Sequence, residues 1–364
     1  MSAGARSVST MSRHAIVPPY LLARIAVSDE PRFARAALAA RATLAVVPEE
    51  RRARTRLLLS VDGDSLVAEN APAPDRIISD AENLEVLPGT TVRREDDEPV
   101  SDSAVNEAFE GLGATYDFFW GAYGRDAIDG LGASLEATVH YGRDYDNAFW
   151  DGARMVFGDG DGEVFLGFTA SLTVIAHELS HGVTEREGGL VYEGQSGALN
   201  ESISDVFGAL TEQHSLGQSA DEASWLIGAG IFTAAVQGTA LRSLRAPGTA
   251  YDDDVLGRDP QPAHMDGYVN TDDDNGGVHI NSGIPNRAFY LTAMALGGNA
   301  WERAGLIWYR TLTGVLSDRT DFAGFAAATV AAAEAEYGEG SEESGAVRAG
   351  WIGVGVIEDE FSER

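Results

Sequence analysis

Residues 171–208 read SLTVIAHELSHGVTEREGGLVYEGQSGALNESISDVFG, and the remainder of the chain is organised to hold this stretch. His177 and His181 stand four apart, so on an α-helix they share one face, a turn apart. Two imidazoles so placed can reach one Zn²⁺, and Glu178 beside them can act as general base toward a water activated by the metal. After nineteen residues that follow His181 comes Glu201, within Asn200-Glu201-Ser202-Ile203-Ser204-Asp205. Glu201 is a candidate third ligand, which leaves a fourth position open for water, as catalytic zinc requires. Asp205, at i+4 from Glu201, can accept a hydrogen bond from the ring N–H of a ligating histidine. A bare H-E-x-x-H also arises by chance in ordinary helices. The added Glu at a set spacing, with its own partner Asp, weighs against coincidence.

The stretch closely resembles the thermolysin-like metallopeptidases (gluzincins), whose pattern is H-E-x-x-H, nineteen residues, then E-x-x-x-D. The likeness continues in DAENLEVLPG at 80–89, DNAFWDG at 146–152, MVFGDGDG at 155–162 and DNGGVHINSGI at 274–284. It covers nearly everything from about residue 76 onward. The resemblance implies an α+β, two-lobe zincin. Residues 76–190 would form a mixed α/β lobe with an antiparallel-rich sheet, and 191–358 a mainly helical lobe, with the zinc-bearing helix between them.

Roles follow residue by residue from the same resemblance. His177, His181 and Glu201 match the zinc ligands, and Glu178 the general base. Tyr192 and His279 match donors to the oxyanion of the tetrahedral intermediate, and Asp274 the carboxylate that orients the histidine. Asp205 and Asn200 carry over as partners of His177 and His181. Asn147 and Ala148 match an edge strand that pairs with substrate backbone, and Arg242 a guanidinium that binds a substrate carbonyl. Phe165, Phe168, Val174 and Leu241 match the pocket for an apolar side chain after the scissile bond, although plain core packing explains them equally well. Where secreted family members carry a calcium cluster, Glu212 is retained but Thr173, Ser224 and Ala229 replace carboxylates. The expectation is one catalytic zinc without the double calcium site.

With 364 residues there is room for two lobes and an accessory segment. There are no cysteines, so disulfides and thiolate ligands are excluded. The net charge is −31, and all 26 basic residues are arginine. Such a surface disfavours nucleic acid and anionic membranes, and no apolar run reaches the 18 residues of a membrane span. The charge is uneven: residues 1–60 carry about +6 and the remainder about −37, which favours attraction between leader and body.

Residues 1–13 are small and polar and read as disordered, with no apolar stretch of the secretory type after them. On that basis the expected location is the cytoplasm, or export by a route without a cleavable signal. Pro18-Pro19 forces an extended entry into a short helix bearing Leu21, Leu22 and Ile25, and Pro31 starts another over 32–46. The P-P-Y element resembles the short propeptide of the protealysin-like branch. That resemblance implies a leader, 1–55 with a boundary anywhere in 50–75, that blocks the cleft of its own enzyme and is removed. Cleavage sites are expected in EERRARTR (49–56) or around Ala71-Pro72-Ala73-Pro74.

Residues 77–81, 87–95, 135–141 and 155–157 read as strands, 102–123 as an amphipathic helix and 158–162 as a tight hairpin turn. Apolar spacing predicts helices over 196–214, 221–237, 281–297, 300–317, 321–337 and 342–351. The function expected is that of a monomeric zinc endopeptidase, made as a zymogen, that cuts peptides and proteins on the N-terminal side of apolar residues. The alternative is a non-catalytic zinc protein that binds peptides in the same groove. Retention of Glu178 argues against it, because binding needs no general base.

Overall fold

The computed structural model describes residues 14–46, 59–62, 65–68 and 73–358. The candidate cleavage stretch 49–56 and the disorder read for 1–13 lie outside these, as do Ala71 and Pro72.

The leader forms two helices, α1 (Pro19–Ala26) and, after a 3₁₀ turn at Pro31–Phe33, α2 (Ala34–Ala45). Pro19 sits in the first turn of α1, where a missing N–H costs nothing. Leu21, Leu22, Ile25, Phe33, Ala36 and Ala40 are buried, so the leader is part of the core. A hairpin of β1 (Leu59–Asp62) and β2 (Ser65–Ala68) follows.

The first lobe is built on a five-stranded sheet. Its strands are β3 (Arg76–Asp80), β4 (Thr90–Arg94), β5 (Leu135–Val139), β6 (Ala148–Trp150) and β7 (Met155–Phe157), in the spatial order β4-β3-β5-β7-β6. The inner pairings β3–β5 and β5–β7 are parallel and the outer ones antiparallel. This order leaves β6 as an edge. Helix α3 (Ser103–Tyr123) packs beneath, begun by the Asp102 side chain, which accepts from Ala104 N and Val105 N, and ended by left-handed Gly124.

Two long helices then cross the molecule, α4 (Leu172–Glu187), which carries H-E-x-x-H, and α5 (Gly194–Leu216). They pack closely because residue 208 is glycine: a Cβ there would meet Thr173 O at 2.8 Å and His177 N at 3.5 Å. The second lobe is completed by α6 (Asp274–Asn281), α7 (Gly283–Leu296), α8 (Ala304–Leu312), α9 (Phe322–Tyr337) and α10 (Glu342–Gly353). One apolar cluster runs through both lobes and includes the leader.

Three expectations are corrected. Residues 221–237 are not helical. Trp225, Gly228 and Gly230 all take positive φ, which ends any α-helix, and β8 (Leu226–Ile227) pairs with β9 (Arg242–Ser243) instead. A second two-residue ribbon, β10 (Asp252–Asp253) with β11 (Gly257–Arg258), lies further along. The helix expected over 300–317 is confined to α8. The 158–162 turn closes no hairpin: it leads from β7 to a 3₁₀ turn at Phe168–Ala170, with Asp161 Oδ1 capping Glu163 N and Val164 N.

That turn is tied to α3 by His140, which takes φ +54° just past the end of β5. Its ring nitrogens lie 2.9 Å from Asp159 and 2.9 Å from Asp102. The bond to Asp159, and after it the charge and bond of Asp102, overcome burial and raise His140 to about 9. A raised histidine stabilises the fold fully below its unfolded value of about 6.5 and ceases to as pH climbs through about 9. Both carboxylates are partly exposed, so the effect is discounted to about 1–2 kcal/mol. The stability gap between wild type and His140→Asn, from denaturant titrations, should therefore shrink by about that amount between pH 6.5 and 9.5.

Candidate active site

His177 and His181 project from α4 toward Glu201 on α5, and all three are completely buried. Their ligand atoms lie within 4.8 Å of one another. The Nε2 atoms of the two histidines are 3.0 Å apart, and Glu201 lies 3.5 Å from His177 Nε2 and 3.4 Å from His181 Nε2.

The other ring nitrogens are spoken for. His177 Nδ1 is 2.8 Å from Asp205 Oδ1, and His181 Nδ1 is 2.8 Å from Asn200 Oδ1 and 3.1 Å from Ser204 Oγ. Acceptors at Nδ1 place the proton there, so each neutral ring turns an Nε2 lone pair inward. Burial, then the neighbouring His14 and His177, hold His181 well below the usual imidazole range, which favours that neutral form. Two facing lone pairs beside Glu201 Oε2, which accepts no hydrogen bond among the described residues, repel unless a cation lies among them. The donor set, two imidazoles and a carboxylate, suits Zn²⁺.

Glu178 is also wholly buried and accepts from Trp150 N at 3.0 Å through Oε2. Burial and the nearby Glu201 push its carboxyl well above the ordinary range, opposed by the backbone amides of Trp150 and Ile16 and by Arg242. A cation at the ligand cluster offsets the Glu201 contribution and brings Glu178 toward the range in which it can both take and give a proton.

Across the cluster, the Tyr192 hydroxyl donates to Glu201 Oε1 and lies 3.2 Å from His279 Nε2. His279 is placed by a run of left-handed residues, Asp274 to Gly277, with φ between 50° and 85°. This run lets one carboxylate hold the histidine twice: Asp274 Oδ2 accepts His279 N at 2.9 Å, and Oδ1 lies 2.6 Å from His279 Nδ1. Burial opposes a charge on His279, but Asp274 and then Glu201 outweigh it and raise it to about 9.

Asp205 joins the ligand cluster to the peptide groove. Besides His177 it accepts from Arg242 Nε at 2.9 Å, from Arg242 Nη2 at 2.8 Å and from Asn286 Nδ2 at 2.8 Å. Burial disfavours its charge, but Arg242 and His177 outweigh this and keep its carboxyl far below the usual range. Asn286, Ser204, Trp150 and Gln261, which holds His279 O at 2.8 Å, are missing from the sequence reading. Ser204 adjoins Asp205 and could have been flagged. The other three act across long sequence separations and leave no local signal.

Of the remaining predicted residues, Asn147, Ala148 and Arg242 lie along the groove beside β6. The side chain of Asn147, Ala148 O and Arg242 Nη1 all bind the leader, which runs through the groove as an extended segment. Ile16 pairs with Ala148, and Ala15 bridges antiparallel to Phe149, so the leader extends the sheet by one strand. Phe165, Phe168, Val174 and Leu241 are buried in the same apolar cluster as Ile16 and Val17. At the positions compared above with the family's calcium cluster, Ser224 Oγ donates to Glu212 at 3.2 Å and Thr173 Oγ1 accepts from Gly228 N at 2.9 Å.

Comparison with known proteins adds to this geometry. The family model described as thermolysin metallopeptidase, catalytic domain, matches residues 68–185, and that described as its alpha-helical domain matches 188–356. The chain belongs to the thermolysin metallopeptidase family. Like its family it is a zinc-dependent metalloendopeptidase made as a zymogen, with a short leader of the protealysin type. An extracellular metalloprotease of Pectobacterium carotovorum is 47% identical over 359 residues, covering 95% of this chain and 97% of that one. A thermolysin of Alicyclobacillus acidocaldarius is 40% identical over 286 residues, covering 76% of this chain and 50% of that one. The solved precursor of protealysin, a metalloproteinase from Serratia proteamaculans, superposes with a TM-score of 0.84 at 49% identity and covers 94% of this chain and 99% of that one. The cytoplasmic location expected from the leader is overturned: both the Pectobacterium relative and one from Serratia marcescens are named extracellular proteases.

Removing Asp205 strips His177 of its orienting partner and leaves Arg242 charged and buried without its carboxylate. Asp205→Ala should therefore lose about 3–5 kcal/mol in denaturant titrations. Zinc affinity by competition with a chromophoric chelator should fall about 10–100-fold.

Proposed function

We propose that this thermolysin-family peptidase cleaves peptide bonds through the residues gathered here, on the N-terminal side of apolar side chains. The observation that carries the reading is an extended peptide segment already lying on edge strand β6, with Ala15 O 3.1 Å from His279 Nε2 and the Ile16 amide facing Glu178.

Zinc held by His177, His181 and Glu201 would supply Lewis acidity, lowering the pKa of water and polarising a carbonyl. Glu178 takes the proton of the attacking water and delivers it to the departing nitrogen. Tyr192 and His279 donate to the oxygen that gains charge, and Asp274 keeps the His279 proton directed there. Burial, then Glu201, holds the Tyr192 hydroxyl well above its usual pKa, so it stays a donor. Asn147, Ala148 and Arg242 grip the substrate main chain, and Phe165, Phe168, Val174 and Leu241 shape the apolar pocket. Under the non-catalytic alternative, the cost of burying Glu178 without a paired cation would have no purpose.

The leader, with its boundary in 50–75, acts as an intramolecular inhibitor over the two lobes 76–190 and 191–358. Its α1–α2 unit grips both lobes: Arg24 Nε donates to Val255 O, Arg35 pairs with Asp144, Ala36 N donates to Glu163 and Thr43 Oγ1 accepts from Asp146 N. Thr173 bonded to Gly228 N and Ser224 bonded to Glu212, in place of carboxylates, support a fold independent of the double calcium site.

Glu178→Gln should retain zinc but lose about 10²–10⁴-fold in kcat/KM on an apolar-site peptide. His279→Ala should lose about 10²–10³-fold, mostly in kcat. Full activity in the first variant would end the general-base assignment. A calcium-selective chelator should leave the thermal midpoint of the mature enzyme unchanged, whereas a zinc chelator abolishes turnover. A drop of several degrees with the former would overturn the calcium reading.

A further inference from the structure

The leader does more than cover the groove. Its main chain meets the catalytic and gripping groups one after another, in chain order. His14 O accepts from Trp150 N at 3.2 Å. Ala15 O lies 3.1 Å from His279 Nε2. Ile16 N donates to Ala148 O at 3.1 Å and also faces the Glu178 carboxyl group. Ile16 O accepts from Arg242 Nη1 at 3.0 Å. Val17 N and O are both held by the Asn147 side chain, at 2.9 and 3.1 Å. The carbonyl facing the imidazole and the amide facing the general base thus belong to one peptide bond, Ala15–Ile16. The Ile16 side chain, which follows that bond, is fully buried.

No neighbouring register fits equally well. A shift by one residue turns every side chain to the opposite face. A shift by two toward the C-terminus would bring Pro18 nitrogen, which carries no hydrogen, to Ala148 O. A shift by two the other way would bury His14, not an isoleucine, after the bond.

Building on the peptidase reading above, we propose that the precursor holds its own leader as a substrate, with Ala15–Ile16 as the first bond it hydrolyses. The hydroxyl of water adds to the Ala15 carbonyl carbon, and the C–N bond breaks. One water proton passes through Glu178 to the Ile16 nitrogen, and the proton carried in on the hydroxyl then leaves the new Ala15 carboxyl for the amine or solvent, giving an Ala15 carboxylate and an Ile16 amino group. The cut alone does not open the cleft. Val17, α1 and α2 and all their contacts lie on the C-terminal side of the bond, so only residues 1–15 depart. The new amino-terminus stays beside Ala148 O and Glu178 as a tethered product. Activation then requires a second, separate removal of the segment that begins at Ile16.

The test uses full-length wild type and Glu178→Gln, produced in the same host and incubated with zinc over a tenfold range of protein concentration. Intact mass and N-terminal sequencing follow the products in time. Wild type should yield a species beginning at Ile16 before any shorter one, at a rate independent of concentration, and Glu178→Gln should yield none. Ile16→Leu should keep the cut, while Ile16→Asp should slow it about 100-fold or more. In Glu178→Gln, amide exchange at Ile16 and Val17 should be slow, which checks the register without turnover. An Ile16 species in Glu178→Gln, or a rate proportional to concentration, overturns the proposal. So does the absence of that species while the processed enzyme digests an added unfolded protein. If the enzyme digests nothing, the peptidase reading falls with it.

Discussion

Two imidazole lone pairs and a carboxylate are forced together in a volume that water does not reach, and the surrounding architecture exists to sustain that conflict. The helices that carry them must lie close enough for ligand atoms on each to share one cation. Gly208 permits this, because any side chain there would strike the backbone carbonyl of Thr173. The rings cannot swivel away, since Asp205, Asn200 and Ser204 hold their outer nitrogens. The low-dielectric setting that makes the cluster costly without a metal makes it tight with one.

Asp205 links that cluster to the groove. The same carboxylate that orients His177 neutralises Arg242, whose remaining nitrogen reaches the peptide carbonyl of Ile16. Metal binding and peptide binding therefore share a fixed anion, and the β8–β9 pair presents the arginine to it. The leader occupies the donors and acceptors of Asn147, Ala148 and Arg242, so on the proposed reading recognition and inhibition draw on one set of hydrogen bonds.

Much of this was legible in the residues alone. Histidines four apart and a glutamate after nineteen further residues marked three candidate ligands, and Asp274 with His279 stood in a six-residue window. The helices at 102–123, 196–214, 281–297, 321–337 and 342–351 follow from apolar period, as does the first leader helix, while the second follows from Pro31 as a helix start. What failed was local inference where glycine and tryptophan take left-handed backbone: apolar spacing at 221–237 mimics a helix, but the chain there turns to pair with a strand still to come. Asn286, Gln261 and Trp150 act on partners distant in the chain, so their roles are set by tertiary contact. The register of the leader was equally hidden, because a strand's partners are known only once the groove exists.

Arginine alone supplies every permanent positive charge, from Arg35 on Asp144 at the leader to Arg242 on Asp205 at the centre. A chain without lysine has no primary amine except its terminal one. Each proteolytic event therefore creates the only new nucleophile that acylating or aldehyde reagents can find. The molecule keeps its own record of processing, readable by simple chemistry on whichever amine it exposes.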